Sequence, residues 1–235
     1  TCALPICFSR IRTFFIWCYN QGKTTNRPFD KFPLEECLYG TPIYITLQER
    51  NQLFEADLSA RPQLAIQRDI FVFQTVVGCR VGDLYKLTKK NIVNGALEYV
   101  QEKTRSHNPR TIRVPLNGIA QTILERYKDY NGETLLPFIS EQKYNQAIKE
   151  AFRLAGLDRI VTVLNPLTRE PEQKFLYEVA TTHTARKTFI GNMYKKVKDP
   201  DLVSSVSGHK EGSKAFRRYR EIDEDMKKEL VHLLD

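Results

Sequence analysis

The sequence has no paired cysteine spacing, no long uninterrupted apolar run, no internal repeat and no low-complexity tract. Its five cysteines, Cys2, Cys7, Cys18, Cys37 and Cys79, are odd in number and scattered. That argues against a disulfide scaffold and against a zinc ligand pattern. Reduced, mostly buried thiols of a cytosolic protein are expected instead. The apolar opening at residues 1–19 is interrupted by Arg10 and Arg12, and no small-residue cleavage site follows. This speaks against a signal peptide and against a membrane span. The chain begins at Thr1 rather than Met, so a longer parent protein is expected.

What is present is ordinary in bulk and unusual in charge. A chain of 235 residues with 41% hydrophobic and 27% charged residues can bury the core of one large domain plus a fragment. The net charge of +8 suits a protein that meets a polyanion, since neutralising phosphates releases counterions.

Patterning divides the chain. Ile11, Phe14, Phe15 and Cys18 recur at helical spacing, and that first helix runs to about Tyr19 before Asn20-Gln21-Gly22. Pro28, Pro33 and the Tyr39-Gly40-Thr41-Pro42 stretch read as a linker. Thr46 and Glu49 form a capping-box pattern that opens a helix. A second helix starts near Pro62, continues through Phe71, Phe73 and Val77, and stops at Gly78. Residues 91–116 change period, and partial alternation from Val100 to Leu116 around Ser106-His107-Asn108-Pro109 predicts a β-hairpin. Asn117 opens a helix to about Tyr130, and Ser140 opens another that Gly156 ends. Residues 159–179 suggest a second small hairpin or an irregular loop. From Thr181 the pattern is helical, with Asp199-Pro200 as an N-cap pair, a stop at Gly208, and further helices near Ser213 and Asp223. The expected organisation is 1–29, a helical remnant; 30–43, a linker; and 44–235, a main domain. The fold class expected is mainly α with a small β-hairpin or sheet (α+β).

Polar residues scattered along this frame carry the chemistry. Arg80 lies between Gly78 and Gly82, with Asp83 three residues on to orient its guanidinium. A planar fork there suits bidentate phosphate recognition. Lys103 sits where a strand meets its turn, within reach of a substrate laid across the domain. His183 and Arg186 share one face at a helix start, where free N–H groups favour an anion. His209 follows the helix stop at Gly208. Tyr219, ten residues after His209, has Arg217, Arg218 and Arg220 as neighbours, which favour its ionised form. Tyr194 is a rival nucleophile, but it lies mid-helix in an apolar pattern and reads as core. Taken singly, each residue has a plainer role as a cap, an ion pair or a solvated side chain. Arg105, Arg110, Arg113, Lys187, Lys210, Arg217 and Arg218 are expected to contact DNA.

Taken together and in this order, the set closely resembles the tyrosine recombinase, or phage integrase, family. That family carries Gly-x-Arg-x-x-Glu/Asp, a hairpin lysine, His-x-x-Arg, Gly-His and a tyrosine shortly after. Here these are Gly78-Cys79-Arg80 with Asp83, Lys103, His183-Thr184-Ala185-Arg186, Gly208-His209 and Tyr219. Thr182 to Phe189 looks most like integrases of mobile elements. The resemblance covers about residues 40–235, and residues 1–29 look like the last helix of the family's core-binding domain. It implies the catalytic-domain fold of that family and a site-specific recombinase working through a 3′-phosphotyrosyl intermediate. Arg80, Lys103, His183, Arg186, His209 and Tyr219 would be catalytic and Asp83 supporting. No cofactor and no metal would be needed. The implied partner is double-stranded DNA, with a homotetramer on DNA, a monomer when free, and no membrane. The implied place is the cytoplasm of a bacterium, at the nucleoid. A type IB topoisomerase and a non-catalytic DNA-binding regulator remain alternatives. A helix-turn-helix at residues 200–220 would leave Arg80 and Lys103 unexplained.

Overall fold

In the computed structural model, the described residues are 3–32, 40–102, 109–165, 168, 170–197, 199–209 and 231–232. In chain order the first elements are α1 (Ala3–Asn20), α2 (Leu47–Glu55), α3 (Pro62–Val77), α4 (Val81–Leu84), β1 (Ile92–Val93), β2 (Ala96–Val100) and β3 (Thr111–Pro115). There follow α5 (Gly118–Arg126), α6 (Glu141–Leu154), β4 (Ile160–Leu164), β5 (Pro171–Phe175), α7 (Leu176–Val179), α8 (Thr182–Lys196) and α9 (Pro200–Ser207). The predicted helices near Ser213 and Asp223 lie outside the described residues, as do Lys103, Arg105, Lys210, Arg217, Arg218 and Tyr219.

The chain divides into two compact units, one of residues 1–40 with 162–173 and one of 41–161 with 174–235. In the first, α1 ends where Gly22 turns left-handed at φ 66°. Its predicted apolar face is covered only in part. Phe15 and Cys18 of that face are half-buried while Ile11 and Phe14 are exposed, and Phe15 approaches Phe29 and the exposed Phe8 approaches Phe32, with ring centroids 6.1 and 6.2 Å apart. The 29–32 turn thus lies against Phe8 and Phe15, two turns apart.

The second unit is built around α3. Its residues from Gln67 to Val77 are all buried, as expected of a helix covered on every side. α2, α5, α6 and α8 pack on it. Phe71 meets Phe152 of α6 edge-on at 5.1 Å. The Thr46 hydroxyl accepts from the Glu49 N–H, and the Glu49 carboxylate accepts from the Thr46 N–H, so the capping box forms as read. A buried polar cluster ties α2 to α3. Arg68 Nη1 donates to the carbonyls of Leu53, Phe54 and Ala56 at the end of α2. Asp69 accepts from Arg68, Arg126 and the Tyr127 hydroxyl, so each buried charge has its partner. Asp69 is also the second cause, after burial, that pushes the Tyr127 phenol upward.

The sheet β1-β2-β3 is antiparallel, pairing Ile92 with Leu97 and Tyr99 with Ile112. The predicted hairpin is β2 with β3, and β1 is the addition. Asn94 and Gly95, both with positive φ (47° and 70°), close the β1–β2 turn. Asn-Gly is the dipeptide such turns favour, so the signal stood in the sequence. β4 and β5 form the second hairpin. α5 ends at Arg126 rather than near Tyr130, and Ser140 precedes α6 without a side-chain cap bond. Of the cysteines described, Cys79 is buried but Cys7 is exposed, which corrects the expectation of mostly buried thiols. Among the described residues, no helix is long and apolar enough to cross a membrane.

Candidate active site

The site forms where three chain breaks meet. The first is the end of α3. Gly78 takes the left-handed conformation (φ 67°) and its N–H donates to the Gln74 carbonyl. A Cβ there would stand 2.3 Å from the Phe189 ring of α8, so only glycine lets the two helices approach. Gly78→Ala is expected to cost about 2–4 kcal/mol, combining left-handed strain with overpacking. Thermal unfolding of the variant checks this. Gln74 Nε2 holds the Cys79 carbonyl, and burial pushes the Cys79 thiol up to about 12, so it stays an unreactive core group.

Arg80 follows, in extended conformation at the start of α4. Its Nη1 lies 4.0 Å from Asp83 Oδ2, too far for a hydrogen bond. Both atoms are buried and have no hydrogen-bond partner among the described residues. Asp83 uses its other oxygen, which accepts from the Glu102 backbone N–H at 3.0 Å. Asp83 thus holds the segment just past β2 beside Arg80 and makes no hydrogen bond to the guanidinium it was expected to orient.

The second break is the start of α8. The Thr181 N–H donates to the Thr184 hydroxyl, and the Thr182 N–H to Asn145 Oδ1 of α6, which fixes the helix entry. Arg186, one turn in, is buried. Its Nη1 donates to the Gly78 carbonyl at 2.6 Å and its Nη2 to the Ser207 carbonyl at 2.7 Å. The guanidinium therefore bridges the end of α3 to the end of α9. His183 lies beside it and faces solvent. Its pKa is lowered first by partial loss of hydration and then by Lys187, with Arg186 and Arg80 adding to the effect and Glu141 opposing it.

The third break is the end of α9. Asp199 caps its start by accepting from the Asp201 and Leu202 N–H groups, as read. Gly208 ends it at φ 62°. The His209 ring then returns toward α8, with Nδ1 3.1 Å from Arg186 Nη2 and 3.0 Å from the Ser207 hydroxyl. Gln101, just past β2, donates to the Ser207 carbonyl at 3.4 Å.

Arg186 thus joins the turns of Arg80 and His209, and the Arg80 and Arg186 charges both act on His183. Lys103 follows directly on the pinned Gln101-Glu102 pair, and both it and Tyr219 lie outside the described residues. Of the expected DNA contacts, Arg110 is exposed and Arg113 forms an ion pair with Glu98 across the sheet. Lys187 is half-buried on α8. Tyr194 is buried, in line with its reading as core. Sequence reasoning missed Gln101 and Ser207. Their roles rest on contacts between distant segments, which no local pattern announces.

The fold has known counterparts. A family model described as the phage integrase family matches residues 44–226. No curated protein sequence matches. A lambda integrase fragment bound to DNA superposes with a TM-score of 0.65 at 19% identity, covering 94% of this chain and 75% of that one. A lambda integrase tetramer bound to a Holliday junction gives 0.61 at 20% identity, covering 88% and 58%. The XerH site-specific recombinase in a post-cleavage complex gives 0.58 at 17% identity, covering 82% of this chain and 53% of that one. The chain spans about half the length of that XerH chain. At such identities the likeness is one of fold, mainly helical with small antiparallel sheets. With the family model spanning most of its residues, the chain belongs to the phage integrase family.

Proposed function

We propose that the chain carries the catalytic part of a site-specific DNA recombinase that cuts and rejoins strands through a 3′-phosphotyrosyl intermediate. The observation that carries this reading is the Arg186 bridge from the Gly78 carbonyl to the Ser207 carbonyl, with His209 against the same guanidinium. It ties the turn before Arg80 to the turn before His209, and the Arg80 and Arg186 charges both act on His183, which supports a shared phosphate site. Arg80, Arg186 and His209 stabilise the charge that grows on the non-bridging oxygens of one scissile phosphate. The Tyr219 oxygen attacks phosphorus in line, and His183 takes its proton. The bond to the 5′-oxygen breaks, and Lys103 protonates that leaving oxygen. Attack by a 5′-hydroxyl of a partner duplex reverses these steps and releases Tyr219. Bond energy is kept in the phosphotyrosyl link, so strand joining needs no nucleotide cofactor. The partner is double-stranded DNA, bound as a tetramer during exchange. The protein acts in the cytoplasm, at the nucleoid.

The test is a suicide substrate whose nick lets the cleaved 5′-end diffuse away. A covalent adduct mapping to Tyr219 supports the reading, and its absence on a bound cognate site refutes it. Joining of paired sites separates recombination from plasmid relaxation, the outcome a topoisomerase would give.

The lowered pKa of His183 sets a pH limb. A histidine whose folded value is depressed stays neutral, and so able to accept a proton, down through its ordinary value of 6.5. Single-turnover cleavage is expected to hold from pH 7 to about 6.5 and to fall below it, and His183→Gln to lose that limb. The same protonation favours the unfolded chain as pH falls below 6.5 toward the lower folded value.

A further inference from the structure

We propose that Gln101 and Ser207 are positioning residues for His209, which together aim one ring nitrogen of that histidine at the scissile phosphate. The proposal rests on the phosphate-binding role of His209 given above.

Ser207 is completely buried and Gln101 is 2% exposed, so neither has a solvent role. The Ser207 hydroxyl lies 3.0 Å from His209 Nδ1. Arg186 Nη2 also lies nearer Nδ1, at 3.1 Å, than Nε2, at 3.3 Å. The guanidinium thus lies against both ring nitrogens, slightly nearer Nδ1, and the Ser207 hydroxyl lies against Nδ1 as well. The hydroxyl shares Nδ1 and fixes the plane of the ring. With the ring held from its Nδ1 side, Nε2 is the nitrogen proposed to face a phosphate oxygen.

Gln101 acts one step further back. Its amide packs against the Gly208 backbone so closely that a Cβ on Gly208 would stand 1.7 Å from Nε2. The same nitrogen reaches the Ser207 carbonyl, which also accepts from Arg186. The Ser207–Gly208 turn is thus clamped between Arg186 on α8 and Gln101 just past β2. That segment is itself held, because the neighbouring Glu102 N–H donates to Asp83. Any displacement of Gln101 is passed to the turn that aims His209.

The test measures single-turnover cleavage of a suicide substrate, DNA affinity and thermal unfolding for Gln101→Ala, Gln101→Glu, Ser207→Ala and His209→Ala, and for the double variants with His209→Ala. Gln101→Glu keeps the shape of the side chain but presents oxygens to the Ser207 carbonyl, so it serves if Gln101→Ala does not fold. Each single change at 101 or 207 is expected to slow cleavage about tenfold or more, with affinity within about twofold. In the His209→Ala background the same changes should slow cleavage by less than about twofold, since they act through the missing ring. A full further loss in that background, or equal losses of cleavage and binding, would overturn the proposal. Unchanged cleavage in the single variants would overturn it as well. Wild-type cleavage by His209→Ala would instead remove the role of His209 itself, and the proposal with it.

Discussion

Replacement of Tyr219 by Phe is expected to eliminate the covalent protein–DNA adduct while DNA affinity stays within about twofold of the parent. The change deletes one hydroxyl and leaves the ring and the neighbouring arginines in place. The loss in cleavage should be on the order of 10⁴-fold or more, the scale seen when a nucleophile is removed. The described tyrosines near the site are poor substitutes for a physical reason. Burial, with Glu141 adding to it, pushes the Tyr85 phenol up to about 12. Burial raises Tyr99 and Tyr144 further still. A phenol held neutral in that way attacks phosphorus slowly, whereas Tyr219 is expected to ionise more readily because its sequence neighbours are Arg217, Arg218 and Arg220. Tyr194 lies inside α8 with 4% of its surface exposed, so an incoming strand has no access to it. An adduct that persisted in Tyr219→Phe would move the nucleophile elsewhere and would sink the assignment. Gel separation of the denatured adduct together with a binding titration checks both halves of the expectation.

Much of the frame was legible because local chemistry wrote it. Pro62 and Gly78 bound α3, Thr46 and Glu49 cap α2, and Asp199 caps α9, each through contacts within a few residues. His183 and Arg186 stood out for the same reason, since three-residue spacing on a helix is a local fact. The apolar face of α1 was read only in part because periodicity gives a stripe but not its cover. Only the turn at Phe29 and Phe32 decides that Phe8 and Phe15 are the residues it meets. The buried Arg68–Asp69–Arg126–Tyr127 cluster was illegible, as its members lie on α3 and at the end of α5. Arg186 was recognised but its task was half seen. It was read as a phosphate donor, and the structure shows its guanidinium holding two backbone carbonyls, which that reading did not include. The sequence holds no sign of this, since Gly78 and Ser207 reach Arg186 only through the fold.

That double engagement separates the two site arginines. Arg186→Ala is expected to lower cleavage by at least about 10³-fold and also to destabilise the protein by about 2–5 kcal/mol. It would leave the Gly78 carbonyl without that donor, and the Ser207 carbonyl with the longer Gln101 bond alone. The Arg80 and His209 turns would then lose their common anchor. Arg186→Lys should rescue little. An ammonium is a compact charge on a flexible stem and cannot span two carbonyls and a ring in fixed geometry. Among the described residues Arg80 makes no such bonds, and Asp83 Oδ2 lies 4.0 Å from its Nη1. Arg80→Ala should therefore lose about 10²–10³ in cleavage and destabilise the protein less than Arg186→Ala does. Denaturant unfolding paired with single-turnover cleavage reads both quantities on the same preparations. Equal destabilisation by the two alanine variants would mean that Arg186 is no anchor. A cleavage loss in Arg186→Ala that matched its loss of DNA affinity would reduce that residue to a backbone-phosphate contact.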